Sequence, residues 1–385
     1  MNCNSVFDQI DELNSEYIKF WEDIGNIESP TSYKEGVDAV GRYIIKKAQA
    51  HGWNVEVNKQ ELSGNAVCIT MNPDAQKAPV CLSSHMDTVH PVGTFGTPAV
   101  KIKDGKIYGP GVTDCKGGIV SAFLAMHALE NCGYTERPIK LILQSDEELS
   151  SLPSGKGTVE FMAECAKGCV AFLNGEPSCA SYTELTVERK GIIRLVLEIK
   201  GIAAHSSLCY NGASAVLEGA YKVIELERFA DKDGLTSNCG IMNGGQTANS
   251  VPDKCEITVD FRYKTAEQRE EAINAVKTAA ETVHVKGTSC TWRIKSERCA
   301  MPISDKNLEL LEKIKKIYAA NGFADVKGIS CNGGSDAGDM TVRGITSIDC
   351  IGTSGGRIHS TEEFGDLDSL AKSAKRQAAI IMCID

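Results

Sequence analysis

The stretch Val80-Cys81-Leu82-Ser83-Ser84-His85-Met86-Asp87-Thr88-Val89 turns from apolar to polar within five residues. That is the pattern of a buried strand whose end reaches a surface. Upstream of it, 5–27 and 33–51 carry helix-spaced apolar positions separated at Pro30, and 53–59 and 66–71 read as strands. Downstream, an amphipathic helix over 118–130 follows a glycine-rich loop. A strand over 138–144, a helix near 157–167 and a strand near 169–173 come next. Strands alternating with helices predict an α/β fold, with a mixed, mostly parallel sheet between layers of helices.

From about 187 the pattern changes. A strand over 187–200, a helix over 212–229, strands near 236–243 and 254–263, a helix over 265–282 and a strand over 288–295 make the order βαββαβ. This is the split, ferredoxin-like α+β arrangement. After about 300 the first pattern resumes, with a helix over 305–320, a strand over 345–351 and a helix over 367–381. The chain therefore divides into 1–187 and 299–385, which make one α/β domain, and 188–298, which is inserted into it. A length of 385 residues suits such a pair, at about 100–200 residues per domain.

Composition narrows the function classes. Asp and Glu number 51 against 41 Lys and Arg, a formal charge of −10, and no Lys/Arg-dense run occurs. This argues against nucleic acid or an anionic membrane as partner. No apolar window reaches the ~18 residues of a membrane span. The opening Met1-Asn2-Cys3-Asn4-Ser5 lacks the basic and apolar regions of a secretory signal. The 16 cysteines include no C-x-x-C pair, and several lie in apolar runs. Together these predict free thiols and a cytoplasmic protein.

Polar clusters fall where predicted strands end, the usual place for ligands in an α/β sheet. His85 and Asp87 are two apart, on one side of an extended segment. A neutral imidazole there binds a borderline metal, and a nearby carboxylate can orient it. Asp114 lies in Gly109-Pro110-Gly111-Val112-Thr113-Asp114-Cys115-Lys116-Gly117-Gly118, placed to face a cation or simply to cap a helix. Asp146-Glu147-Glu148 follows the strand over 138–144, where three adjacent carboxylates repel unless a cation or water relieves them. Asn174-Gly175-Glu176-Pro177 follows the next strand, and His359 sits in Gly355-Gly356-Arg357-Ile358-His359-Ser360. Singly, each has a plain structural explanation: a capped strand end, a helix cap, a solvated acidic loop, a turn. As a set, imidazoles and carboxylates without a thiolate suit Zn2+.

In that ordered set the sequence resembles the zinc-dependent exopeptidases that include glutamate carboxypeptidase, succinyl-diaminopimelate desuccinylase, acetylornithine deacetylase and aminoacylase. The matching pieces are Ser84–Val89, Gly109–Gly118, Asp146-Glu147-Glu148, Gly175-Glu176-Pro177, Ala204-His205-Ser206-Ser207, Gly333-Gly334-Ser335-Asp336 and His359-Ser360. The resemblance implies a catalytic domain with an inserted lid and dimerisation domain. It implies two Zn2+ per subunit, with Co2+ or Mn2+ as substitutes: His85 and Glu176 on one ion, Glu148 and His359 on the other, Asp114 bridging. Asp87 would brace His85, and Glu147 would be the general base. The Asp114–Cys115 peptide bond would be cis. His205 would reach the site of the other subunit in a homodimer and steady the oxyanion, while Asn249, Arg262 and, more weakly, Arg298 would contact substrate. The implied reaction cleaves an amide to release an amino acid from a small peptide or an N-acyl amino acid. Gly355–Ser360 resembles the glutamate carboxypeptidase branch, which favours carboxypeptidase or dipeptidase action, with aminoacylase-type deacylation as the alternative. Cys115 departs from the family, where Asp or Met is frequent.

Other features read blandly. Arg262 can pair with Asp260 on the surface. His51 ends a helix, where a histidine suits the dipole, and His127 reads as a packing or surface residue. Asp336-Ala337-Gly338-Asp339 lacks the full pattern of a calcium loop. Gly352-Thr353-Ser354-Gly355-Gly356 fits the serine-hydrolase elbow, but 355–360 reads as loop where that motif needs a helix. A non-catalytic metal-binding relative is a further reading, disfavoured because Glu147 fills the base position.

Overall fold

A computed structural model describes residues 2–385. In chain order the elements are α1 Cys3–Gly25, α2 Lys34–Ala50, β1 Asn54–Asn58, β2 Ala66–Met71, β3 Val80–His85, β4 Lys101–Lys103, β5 Lys106–Tyr108, α3 Gly117–Asn131, β6 Ile139–Gln144, α4 Gly157–Ala166 and β7 Ala171–Asn174. Then come β8 Glu184–Arg189, β9 Gly191–Lys200, β10 Ala204–His205, α5 Ala215–Leu226, β11 Thr236–Gly244, β12 Ser250–Val251, β13 Lys254–Tyr263, α6 Ala266–Glu281 and β14 Ser289–Arg298. The chain finishes with α7 Asp305–Ala320, β15 Lys327–Cys331, α8 Asp336–Val342, β16 Ser347–Ile348, β17 Gly355–Gly356, β18 Phe364–Asp366 and α9 Ser369–Cys383. It forms two compact units. One takes the chain up to Glu188 with Ile303–Ser330 and Ser335–Asp385; the other takes Arg189–Pro302 with Cys331–Gly334.

The first unit is a mixed α/β structure around a six-stranded sheet ordered β1-β2-β6-β3-β7-β16. β6, β3, β7 and β16 run parallel, while β1 and β2 are antiparallel to their neighbours. Every residue of β3 is buried, as expected of a parallel strand covered on both faces. α3 packs against α1 and α9 and is buried on nearly all sides. It is therefore not the amphipathic helix expected over 118–130, because its polar positions are few and, apart from Ser121, gathered at its C-terminal end. A second sheet of short antiparallel strands, β17-β18-β5-β4, was not expected: its two- and three-residue strands carry too little periodicity to read.

The second unit has a four-stranded antiparallel sheet ordered β11-β13-β9-β14, with α5 and α6. With β9, β11, β13 and β14 as first to fourth strands, this order and the βαββαβ sequence are ferredoxin-like. The single strand expected over 187–200 is two, β8 paired with β15 and β9 in the four-stranded sheet. They part at Gly191, where a Cβ would fall 2.4 Å from the Tyr263 ring. The helix expected from 212 starts at Ala215, with the Ser214 side chain accepting the Leu217 N–H at 3.1 Å. The strand expected over 345–351 shrinks to Ser347–Ile348, and Asp336-Ala337-Gly338-Asp339, which lacks a full calcium-loop pattern, opens α8.

Candidate metal centre

β3, β6 and β7 run side by side in one direction, so the residues that follow them emerge along one edge of the sheet. His85 ends β3, Glu147 and Glu148 follow β6, and Glu176 follows β7. Asp114 comes from the turn before α3, and His359 from the loop between β17 and β18. The backbone approach at this edge is close: a Cβ on Gly118 would lie 2.2 Å from the Gly175 carbonyl oxygen. His359 itself has a left-handed backbone, φ 61°, uncommon for a non-glycine residue.

Asp114 stands between two imidazoles. Its Oδ1 is 3.0 Å from His85 Nε2 and its Oδ2 is 3.2 Å from His359 Nε2. Each imidazole has a second carboxylate: Glu176 Oε1 lies 3.8 Å from His85 Nε2, and Glu148 Oε2 lies 3.3 Å from His359 Nε2. Two groups of potential ligands result, His85–Asp114–Cys115–Glu176 and Asp114–Glu148–His359, with Asp114 common to both. Two imidazoles and three carboxylates form a donor set suited to a pair of borderline divalent cations.

The electrostatics fit positive charge at this place. Burial pushes the Glu148 carboxyl up to about 7, with Asp114 adding repulsion. Burial and Asp114 also raise Glu176 well above the usual carboxylate range. Burial works against Asp114 too, yet the two histidines hold its carboxyl well below that range. Hydrogen bonds to Asp114 and Glu148 lift His359 to about 10. Burial opposes a charge on His85, but its bonds to Asp114 and Asp87 outweigh that and raise it well above the ordinary histidine value.

Behind these groups lies a layer of buried carboxylates. Asp87 is fully buried and accepts the backbone N–H groups of Glu147 and Glu148 at 3.1 Å each, and the Thr31 hydroxyl at 2.6 Å. His85 Nδ1 faces the Asp87 carbonyl at 3.0 Å and its carboxylate at 3.4 Å. Glu363 accepts three backbone N–H groups of the Asp114 turn: Gly111 at 3.1 Å, Thr113 at 2.9 Å and Asp114 at 3.0 Å. Burial raises its carboxyl to about 7.

Sequence reasoning missed Glu363. It neighbours Glu362, and only the structure separates them: Glu362 turns outward to Arg357, whereas Glu363 is buried. Lys116 was also missed. It is fully buried, donates to the Ile27 carbonyl at 2.8 Å, and is pulled down to about 7 by that burial. The Asp114–Cys115 bond is cis, as the resemblance implied. The buried Cys115 thiol donates to the Gly175 carbonyl at 2.9 Å.

The remaining candidates lie in the second unit. His205 is exposed, accepts the Ser207 N–H on Nδ1 at 3.2 Å, and pairs in register with Ser250, next to Asn249. Arg262 does pair with Asp260, at 2.7 Å, and Arg298 is buried. Both arginines are in register with Ile192 near the start of β9, whereas His205 and Asn249 lie beyond Lys200 at its end. Eight residues of strand put roughly 25 Å between the two pairs.

The model of peptidase family M20/M25/M40 matches residues 81–382. The chain is 25% identical to carboxypeptidase G2 of Pseudomonas sp. (strain RS-16) over 98% of its own length and 92% of the relative's. It is 29% identical to acetylornithine deacetylase of Myxococcus xanthus over 60% of its length and 63% of that protein's. A tripeptidase from Staphylococcus aureus subsp. aureus Mu50 has a similar fold, with TM-score 0.80 at 21% identity, covering 96% of this chain and 97% of that one. With the family match spanning most of the sequence and the carboxylate–imidazole groups in place at the strand ends, the chain belongs to peptidase family M20/M25/M40 and is a metallohydrolase of that family.

Proposed function

We propose that this metallohydrolase is a two-zinc carboxypeptidase or dipeptidase that releases an amino acid from a small peptide. The observation that carries the reading is Asp114, whose two oxygens face two imidazoles that each have a carboxylate of their own. In this reading His85 and Glu176 would hold one Zn2+ and His359 and Glu148 the other, with Asp114 available to both; Co2+ or Mn2+ would substitute. When bound, the ions would supply Lewis-acid polarisation of the amide carbonyl and lower the pKa of water at the centre. Glu147 would take a proton from the attacking water and deliver it to the departing amine. Asp87 orients His85 and fixes the turn that carries Glu147 and Glu148.

Arg262 and Arg298 bind the substrate carboxylate, for which a guanidinium fork is suited, while Asn249, beside His205, contacts the substrate of the partner subunit. His205 steadies the oxyanion developing at the centre of the partner subunit. The strand length separating His205 and Asn249 from the two arginines supports this division, because no small substrate spans it. The homodimer forms through the inserted unit (188–298, with 1–187 and 299–385 making the catalytic domain). In its support, Leu217, Tyr221 and Ile224 make an exposed apolar stripe along α5, and Ile241 and Met242 are exposed on the edge strand β11. Sixteen cysteines with no disulfide, and no helix among the described residues long and apolar enough to cross a membrane, suit a cytoplasmic enzyme.

Similarity to carboxypeptidase G2 along almost the whole chain favours peptide over simple acyl substrates. The shorter match to acetylornithine deacetylase favours a second reading, deacylation of N-acyl amino acids. A substrate panel at fixed zinc content decides between them. It compares peptides ending in Glu, Asp or apolar residues with the corresponding N-acetyl amino acids. Higher kcat/KM on the peptides is expected; turnover confined to N-acetyl amino acids overturns the first reading.

A further inference from the structure

A second cluster of metal-binding side chains sits at the far end of α3 from Asp114. His51 is the C-cap residue of α2, and His127 and Glu130 lie three apart on α3, hence on one face. One donor atom from each falls within 4.8 Å of the others. His51 Nδ1 is 2.7 Å from Glu130 Oε2, and the two imidazole rings meet edge to face with centroids 4.4 Å apart.

Two of the three are also held through their other polar atom. The Tyr17 hydroxyl is 2.9 Å from His127 Nδ1, and the Trp53 indole N–H donates to Glu130 Oε1 at 2.7 Å. Tyr17 and Trp53 are both buried. With Nδ1 engaged by a hydroxyl that can accept its proton, His127 presents Nε2; with Oε1 engaged, Glu130 presents Oε2. Buried partners that fix the tautomer and orientation of imidazole and carboxylate are the supporting ring of a metal site. The side chains of His51 and Glu130 are 16% and 33% exposed, and they line a surface groove with Trp53, Asn72 and Asp74, which leaves room for water to complete the coordination.

We propose that His51, His127 and Glu130 form a third divalent-cation site, for a borderline ion such as Zn2+ or Cu2+, which clamps the end of α2 to the end of α3. Two nitrogen donors and one oxygen select against Mg2+ and Ca2+, which take oxygen ligands. At 1.5 Å per residue along α3, His127 and Glu130 lie roughly 15–20 Å from the turn that carries Asp114, so the ion is distinct from those at the catalytic centre. The site stands independently of the roles assigned to that centre.

The test is a count of ions on the zinc-loaded enzyme. Equilibrium dialysis against micromolar Zn2+ should give one more ion per chain for wild type than for His127→Gln or His51→Gln, with peptide turnover unchanged in both variants. The additional ion should raise the melting temperature of wild type by several degrees and leave the variants unmoved, and Mg2+ should do neither. Glu130→Gln, which keeps an acceptor for Trp53 but loses the charge, guards against a folding defect in the histidine variants. Equal zinc content in wild type and Glu130→Gln overturns the site, whatever the total. Loss of catalytic-centre ions would instead appear in all four proteins alike.

Discussion

Glu363 accepts the backbone N–H of Asp114 at 3.0 Å, so the carboxylate between the two imidazoles is held in place by a residue 249 positions later. The same side chain accepts Gly111 and Thr113. In Glu363→Gln one oxygen becomes an amide NH2, which faces an N–H it cannot accept. The expected cost is about 1–3 kcal/mol of stability and a roughly 10–100-fold loss in metal affinity. Urea unfolding and zinc titration read the two effects; unchanged affinity would remove Glu363 from the support of the centre.

Replacing Glu147 by Gln keeps shape and removes the carboxylate proposed as the base. Turnover should fall by more than about 100-fold with zinc content unchanged. Near-normal kcat in metal-replete Glu147→Gln would defeat the assignment of proton transfer to this residue.

Asp87→Asn is also near-isosteric, yet Asp87 uses both oxygens to accept the N–H groups of Glu147 and Glu148. One of these would meet an NH2. We expect lower zinc affinity, about 10–100-fold, together with lower kcat, since one turn carries both glutamates. A variant with wild-type values for both would show that the turn holds itself.

Zinc uptake should depend on pH through His359, whose pKa is raised to about 10 by Asp114 and Glu148. The imidazole must lose its proton to ligate, so below about 10 each unit of acidification should weaken binding at this half of the centre about tenfold. Adding Zn2+ in weak buffer should release protons. In chelator the sign reverses. The imidazolium–carboxylate contact contributes stability that is complete below the unfolded histidine pKa, about 6.5, and is lost as pH rises toward 10. A zinc affinity constant from pH 6 to 9 would contradict this.

Ile224→Asp on the exposed stripe of α5 should yield monomers in sedimentation and abolish turnover, because His205 would have no partner site to complete. Fully active monomers would count against both the interface and the role of His205.

Much of this was legible because buried parallel strands announce themselves. Val80–Leu82 and Leu141–Leu143 are apolar runs, and the polar residues after them had to surface along one edge. The βαββαβ order of the insert was legible for a similar reason, since long strands and helices carry clear periods. What escaped was short or inward-turned. β17 and β18 are too brief to show alternation, Glu363 is indistinguishable from Glu362 until burial separates them, and Lys116 looks like any solvated lysine. His51 and His127 were read singly, and nothing in their spacing shows that two helix ends bring them together.

The interleaving of the first unit has a consequence for biosynthesis. His359 and Glu363 lie downstream of the whole insert, while the groups they meet lie upstream of it. A nascent polypeptide therefore cannot bring His359 and Glu363 to Asp114 until the chain beyond the insert is translated, and a product truncated within the insert lacks both residues.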